Sequence, residues 1–132
     1  MELSERPIGR LEAITIDCAD ALALARFWGA LFDTEIASSE GEGPTYVDLR
    51  PTADTPTLRF QRVPEPKSVK NRVHLDIQVA DLDEACARAE ALGGRRISAQ
   101  VFEEFGYRWI VMADPEGNEF CLVVPPSEEH DG

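Results

Sequence analysis

Apolar and polar residues alternate along LEAITIDC, Leu11–Cys18, and again along RVHLDIQV, Arg72–Val79. A period of two predicts half-buried β-strands. Each stretch then reaches an aspartate, and beyond it the apolar period lengthens to three and four. Asp20 and Asp81, 61 residues apart, stand at the helix N-cap positions, where a short carboxylate accepts from an otherwise unpaired backbone N–H. Past them, Leu24, Phe27, Trp28 and Leu31 form one apolar stripe, and Leu82, Ala85, Ala89 and Leu92 a second. Gly93-Gly94 supplies a stop for the second helix.

Three strand-like runs follow each helix. They are Thr34–Ser38, Thr45–Arg50 and Thr57–Val63 in the first half, and Arg95–Phe102, Tyr107–Ala113 and Glu119–Val124 in the second. The breakers EGEGP, PTADTP and DPEGN separate them. Each half therefore reads as βαβββ, with modules at about 11–63 and 72–125 inside a single domain, 1–132. The polar segment Pro64–Asn71 links the modules, and the tail Pro125–Gly132, which carries His130, is expected to fray. The predicted class is α+β, with curved, mostly antiparallel sheet around a central cleft and helices on the outside.

Alternation also sorts side chains between sheet faces. Val73, Leu75, Ile77 and Val79 share one face with the helices, as do Phe120, Leu122 and Val124 on the last strand. The opposite face gathers Thr15, Asp17, Tyr46, Asp48, Arg59, Gln61, His74, Asp76 and Cys121. An antiparallel sheet can turn such a face to water; the functional reading has it line the cleft, with Trp109 as a stacking wall. His74 and Asp76, two apart on one strand, form a pair suited to acid–base work or to a structural hydrogen bond. Arg50 and Arg59 suit an anionic ligand group, or ion pairs with Asp48 or Asp17. The stretch Phe102–Trp109, FEEFGYRW, is a candidate aromatic rim or a hairpin with its own cluster, and SSEGEGP a loop at the cleft mouth.

Composition narrows the partners. The chain has 132 residues, 43% of them hydrophobic, enough for a sizeable core, and a net charge of −12. That charge argues against nucleic acid or an anionic membrane as a partner. No apolar run is long enough to span a bilayer, and MELSERPIGR lacks the apolar core of a signal peptide. Cys18, Cys86 and Cys121 are odd in number and show no C-x-x-C spacing, which points to a reducing, cytoplasmic setting. Cys18 and Cys86 read as core fillers. Cys121 as a nucleophile would need a lowered pKa, and acidic neighbours work against that. No dinucleotide, phosphate-loop, serine-hydrolase or zinc-protease motif occurs.

The paired βαβββ pattern, the His in VHLDIQVADLDEACARAEALGG and the closing WIVMADPEGNEFCLVV resemble the glyoxalase/bleomycin-resistance/dioxygenase group, the vicinal oxygen chelate superfamily. DCADALALARFWGALF, LRFQRVPEPK and ADPEGNEFCLV are similar to its glyoxalase-like domain branch. The resemblance implies metal ligands on the first and last strands of both modules. Matched residue by residue, these positions fall on His74, Ala13, Gln61 and Cys121, with Glu12 reachable by a register slip. Alanine offers no donor, so the resemblance implies an incomplete metal centre and no resident cofactor. The expected function is binding of a small organic molecule in the cleft, as sequestration or as metal-independent catalysis through His74 and Asp76. The competing reading is a divalent-metal lyase, isomerase or dioxygenase with His74, Gln61 and Cys121 or Glu12 as ligands. Relatives are often homodimers, which implies the same here.

Overall fold

The computed structural model of the chain describes residues 7–127. His130 and the last part of the tail lie outside the described residues. The chain forms two compact units that divide between Val63 and Pro64.

The first unit contains β1 (Ile14–Cys18), α1 (Ala21–Phe32), β2 (Ile36–Ser39), β3 (Tyr46–Leu49) and β4 (Leu58–Arg62). Its sheet runs β1-β4-β3-β2; β1 and β4 are parallel, the other pairs antiparallel. The Asp20 carboxylate accepts the Ala23 N–H at 3.0 Å, as its position predicts. Leu24, Ala25, Phe27 and Trp28 of α1 are buried, as are Val47, Leu49, Leu58 and Phe60 of the strands it packs on. Leu31 is only half-buried. The helix ends where Asp33 turns left-handed at φ 54°, and the Thr34 N–H donates back to the Gly29 carbonyl at 2.8 Å. A Cβ on Gly29 would stand 2.8 Å from the Thr34 oxygen and 3.3 Å from Leu49 Cδ2, so this turn needs glycine.

The second unit contains β5 (Leu75–Gln78), α2 (Leu82–Ala91), β6 (Arg95–Arg96), β7 (Phe102–Glu104), β8 (Tyr107–Ala113) and β9 (Glu119–Val124). The strand order is β5-β9-β8-β6, with β7 also paired to β8. Again one pair is parallel, β5 with β9, and the rest are antiparallel. The Asp81 carboxylate caps α2 by accepting the Glu84 N–H at 3.0 Å. Two expected core positions move outward. Val73 precedes β5 and is 78% exposed, and Leu92 is the C-cap residue, 43% exposed. Cys86 takes the place in the α2 stripe beside Leu82 and Ala89.

The expected strand over Arg95–Phe102 is instead two short ones. The N–H groups of Ile97 and Ser98 both donate to the Val111 carbonyl, at 2.8 and 3.2 Å, while Ser98 Oγ accepts the Val111 N–H at 3.0 Å. Two residues thus oppose one, as in a bulge, and regular pairing stops there. It resumes at Phe102, and β7 returns into β8 through a two-residue loop. Glu104 pairs with Tyr107, and the loop residues Phe105 and Gly106 both have positive φ, 52° and 84°. A type I′ hairpin turn has this pattern.

The turn between β8 and β9 hangs on Asp114. Its side chain is buried (3% exposed) and accepts from the N–H groups of Glu116 and Asn118, both at 2.9 Å, and from the Asn118 side-chain amide. Gly117, at φ 88°, closes the turn by donating to the Asp114 carbonyl. No helix among the described residues is long and apolar enough to cross a membrane.

Candidate functional site

In the second unit the strand register decides which side chains meet. Asp76 lies opposite Cys121 and Gln78 opposite Val123, across the parallel pair. Trp109 lies opposite Val123 across β8 and β9. Because successive residues face opposite ways, Asp76, Gln78, Cys121, Val123, Trp109 and Tyr107 share one face. Leu75, Ile77, Ile110, Phe120 and Leu122 take the other, and α2 packs on that sheet. The first face borders a pocket of about 660 Å³, which His74, Glu104, Phe105 and Pro125 complete.

At one corner of this pocket His74 Nδ1 lies 3.3 Å from Asp76 Oδ1. Ligand atoms of His74, Asp76 and Cys121 all fall within 4.8 Å of one another. Cys121 is 6% exposed. Burial first, then the charge of Asp76 and a hydrogen bond to it, push the thiol up to about 11. It is therefore a neutral S–H near pH 7, not an activated nucleophile. Asp76 gathers both neighbours and leaves His74 Nε2 free. Opposite, Trp109 stacks on Phe102, ring centroids 5.7 Å apart and planes 25° apart, which fixes one aromatic wall.

Behind the corner, Glu119 and Asn71 bond reciprocally. The Asn71 N–H donates to Glu119 Oε1 at 3.1 Å, and the Glu119 N–H donates to Asn71 Oδ1 at 2.8 Å. The Asn71 bond lowers the Glu119 pKa; burial, the next largest effect, opposes it, and Lys70 and Lys67 lower it further. This clamp fixes the end of the inter-module segment to the start of β9, directly before His74.

Of the residues singled out in the sequence, His74, Asp76, Trp109 and Cys121 line this pocket. Thr15, Asp17, Tyr46, Asp48, Arg59 and Gln61 do not line it; they share a face of the first unit's sheet, where Thr15 and Asp48 flank Arg59 and Asp17 and Tyr46 flank Gln61. There Arg59 grips Asp48 in a two-pronged pair, Nε to Oδ1 at 2.8 Å and Nη2 to Oδ2 at 3.0 Å, which raises the Arg59 pKa. Arg50 pairs with Glu35 at 3.5 Å rather than with Asp48 or Asp17. Phe105, Tyr107 and Trp109 of FEEFGYRW line the pocket, and the same segment is a hairpin. The sequence pattern does not single out Gln78, Glu104, Val123 or Pro125. Val123 was legible by alternation with Cys121; Glu104 needed the β7–β8 pairing, and Pro125 was assigned to the tail.

Register also bears on the metal expected from the resemblance. Ala13 and His74 both directly precede the first strand of their module. Ile14 pairs with Leu58 and Leu75 with Phe120, so the counterpart of Cys121 is Arg59, and Gln61 is the counterpart of Val123. A guanidinium already paired with Asp48 offers a cation nothing. Within the second unit, one imidazole nitrogen, one carboxylate oxygen and one thiol sulfur do not fit the hard, oxygen-rich set that magnesium or manganese takes.

The sequence matches the glyoxalase-like domain family over residues 13–123. No curated protein matches it. Among solved structures, it is similar to a fosfomycin resistance protein, FosX, from Listeria monocytogenes, solved with manganese(II) and a dihydroxypropylphosphonic acid. That likeness has a TM-score of 0.71 and 19% identity, covering 93% of this chain and 94% of that one. A glyoxalase-related enzyme from Fulvimarina pelagi matches with a TM-score of 0.69 and 18% identity, over 89% and 88% of the two chains. A glyoxalase/bleomycin resistance protein/dioxygenase family enzyme from Burkholderia phytofirmans PsJN matches at 0.64 and 21%, over 86% and 96%. At these identities the structures share the fold alone. With the sequence match running through both units, the chain belongs to the glyoxalase-like domain family of the vicinal oxygen chelate superfamily.

Proposed function

We propose that this protein binds a small organic molecule in the pocket of its second module, without a hard-metal centre. The observation that carries this reading is the convergence of His74, Asp76 and Cys121 at one corner of a pocket of about 660 Å³ whose remaining wall includes Phe105, Tyr107 and Trp109. A few polar groups set against apolar surface is the composition of ligand sites in general. Asp76 orients the imidazole, His74 Nε2 meets a polar group of the ligand, and Trp109 covers its flat part. The same pair can accept or donate a proton at Nε2 should the ligand be a substrate. Thermal-shift and calorimetric titration with a set of aromatic fragments tests this. Saturable binding that Trp109→Ala weakens about tenfold or more supports it; no saturable binding by any fragment contradicts it.

A second reading rests on the same corner. A nitrogen, an oxygen and a sulfur donor within 4.8 Å form a set that a borderline-soft ion such as zinc accepts when the thiol gives up its proton. Elemental analysis of purified protein separates the two. One equivalent of metal, lost on His74→Ala, favours a metal-dependent lyase, isomerase or dioxygenase; no metal in either protein favours the first reading.

A further inference from the structure

The pocket's charge is one-sided. Asp76 and Glu104 each bring a carboxylate to the lining, and no lysine or arginine is among the lining residues. Glu104 is exposed and has no ion-pair partner among the described residues. Its neighbour Glu103 faces the other way and takes Arg108, at 3.3 Å. Lys70 acts on Cys121 but sits 3.6 Å from Glu119 Oε2, its side chain 76% exposed. Lys67 is 3.6 Å from the other Glu119 oxygen. Both thus lie within ion-pair distance of Glu119. Three aromatic residues, Phe105, Tyr107 and Trp109, share the wall with Asp76 and Glu104. Their ring faces attract cations, as the two carboxylates do, and the whole chain carries a charge of −12, which draws cations toward it over longer range.

We infer that the ligand class is an organic cation: a flat aromatic body bearing an ammonium or amidinium group, its charge held by the Asp76 and Glu104 carboxylates and its ring by the Trp109 wall. This rests on the pocket reading above and goes one step beyond it, since an anionic or neutral ligand would satisfy that reading equally. Carboxylate-bearing ligands are disfavoured by like charge on two sides with no lysine or arginine on the wall.

Three probes of nearly equal shape test the charge: 2-naphthylmethylammonium, 2-naphthalenemethanol and 2-naphthoate, each titrated calorimetrically into the full chain. The ammonium is expected to bind about tenfold more tightly than the alcohol, with the carboxylate weakest, and its affinity to fall as salt is raised. Glu104→Gln, on an exposed side chain whose loss leaves folding intact, is expected to weaken the ammonium several-fold and leave the alcohol unchanged. Asp76→Asn should weaken the ammonium more than the alcohol, with its melting temperature measured alongside. Equal binding of ammonium and alcohol, or preference for the carboxylate, overturns the cation inference and leaves the pocket reading standing. Binding of none of the three overturns both.

Discussion

At the scale of single residues, Asp76 sets the chemistry of the pocket. Its Oδ1 lies 3.3 Å from His74 Nδ1, and its charge adds to burial, the larger cause, in keeping the Cys121 thiol protonated. The thiol's folded pKa of about 11 lies above its ordinary value of 9.0. Its share of stability is therefore present below the ordinary value and is lost as pH rises through the folded one. Reactivity follows the thiolate fraction. Cys121 should alkylate slowly with iodoacetamide at pH 8, and Asp76→Asn should speed it up by removing the second-largest cause of the shift. Peptide mapping by mass spectrometry distinguishes it from Cys18 and Cys86; an unchanged Cys121 rate in the variant would show that burial alone governs the thiol. Phe105 makes the opposite kind of contribution. An aromatic residue at φ 52°, 88% exposed, carries a backbone penalty. Phe105→Asn gives the hairpin an Asn-Gly loop and should raise stability by about 1 kcal/mol while weakening aromatic fragments. Denaturant melts and titrations of the same protein check both halves; a loss of stability would mean that the phenyl ring packs more than its exposure suggests.

At the scale of elements, most of the architecture could be read from the chain. Period-two alternation placed β1, β5 and β9 and assigned their faces, because half-buried strands must alternate. The aspartate caps marked both helix starts. What failed did so where local pattern and pairing part company. Nothing in Ile97–Val101 announces that Ile97 and Ser98 share one carbonyl, so one long strand was expected where two short ones stand. Leu92 fits the α2 period but falls on the cap, where the chain has already left the sheet. The DPEGN turn was read as tight, yet its dependence on a buried carboxylate was not, since burial of an aspartate has no sequence signature. Asp114→Ala strands several backbone and amide donors at once and should cost about 2–4 kcal/mol. A melting-temperature drop of several degrees checks it, and a shift within error would mean the turn is held by Gly117 and the backbone alone.

At the scale of the whole molecule, the two units repeat one plan with different chemistry on their sheet faces. In the first, the position equivalent to Cys121 is Arg59, closed in a two-pronged pair with Asp48. In the second, Cys121 joins His74 and Asp76 beside an aromatic hairpin. That asymmetry was only partly legible. Alternation grouped all these residues on polar faces, but the pairing of first and last strands, which shifts the equivalence from Gln61 to Arg59, is a long-range property of the sheets. Family membership fixes the fold and leaves the chemistry to the site, and the proposed site lies in the second unit.

The most direct test of that assignment is residue-resolved. In ¹⁵N-labelled protein titrated with 2-naphthylmethylammonium and with 2-naphthalenemethanol, binding in the second-module pocket predicts saturable NMR shifts at the backbone amides of Asp76, Cys121 and Val123 and at the Trp109 indole, with Trp28 unmoved. Shifts centred instead on Thr15, Asp48 and Arg59 of the first module, or none at saturating probe, would contradict it.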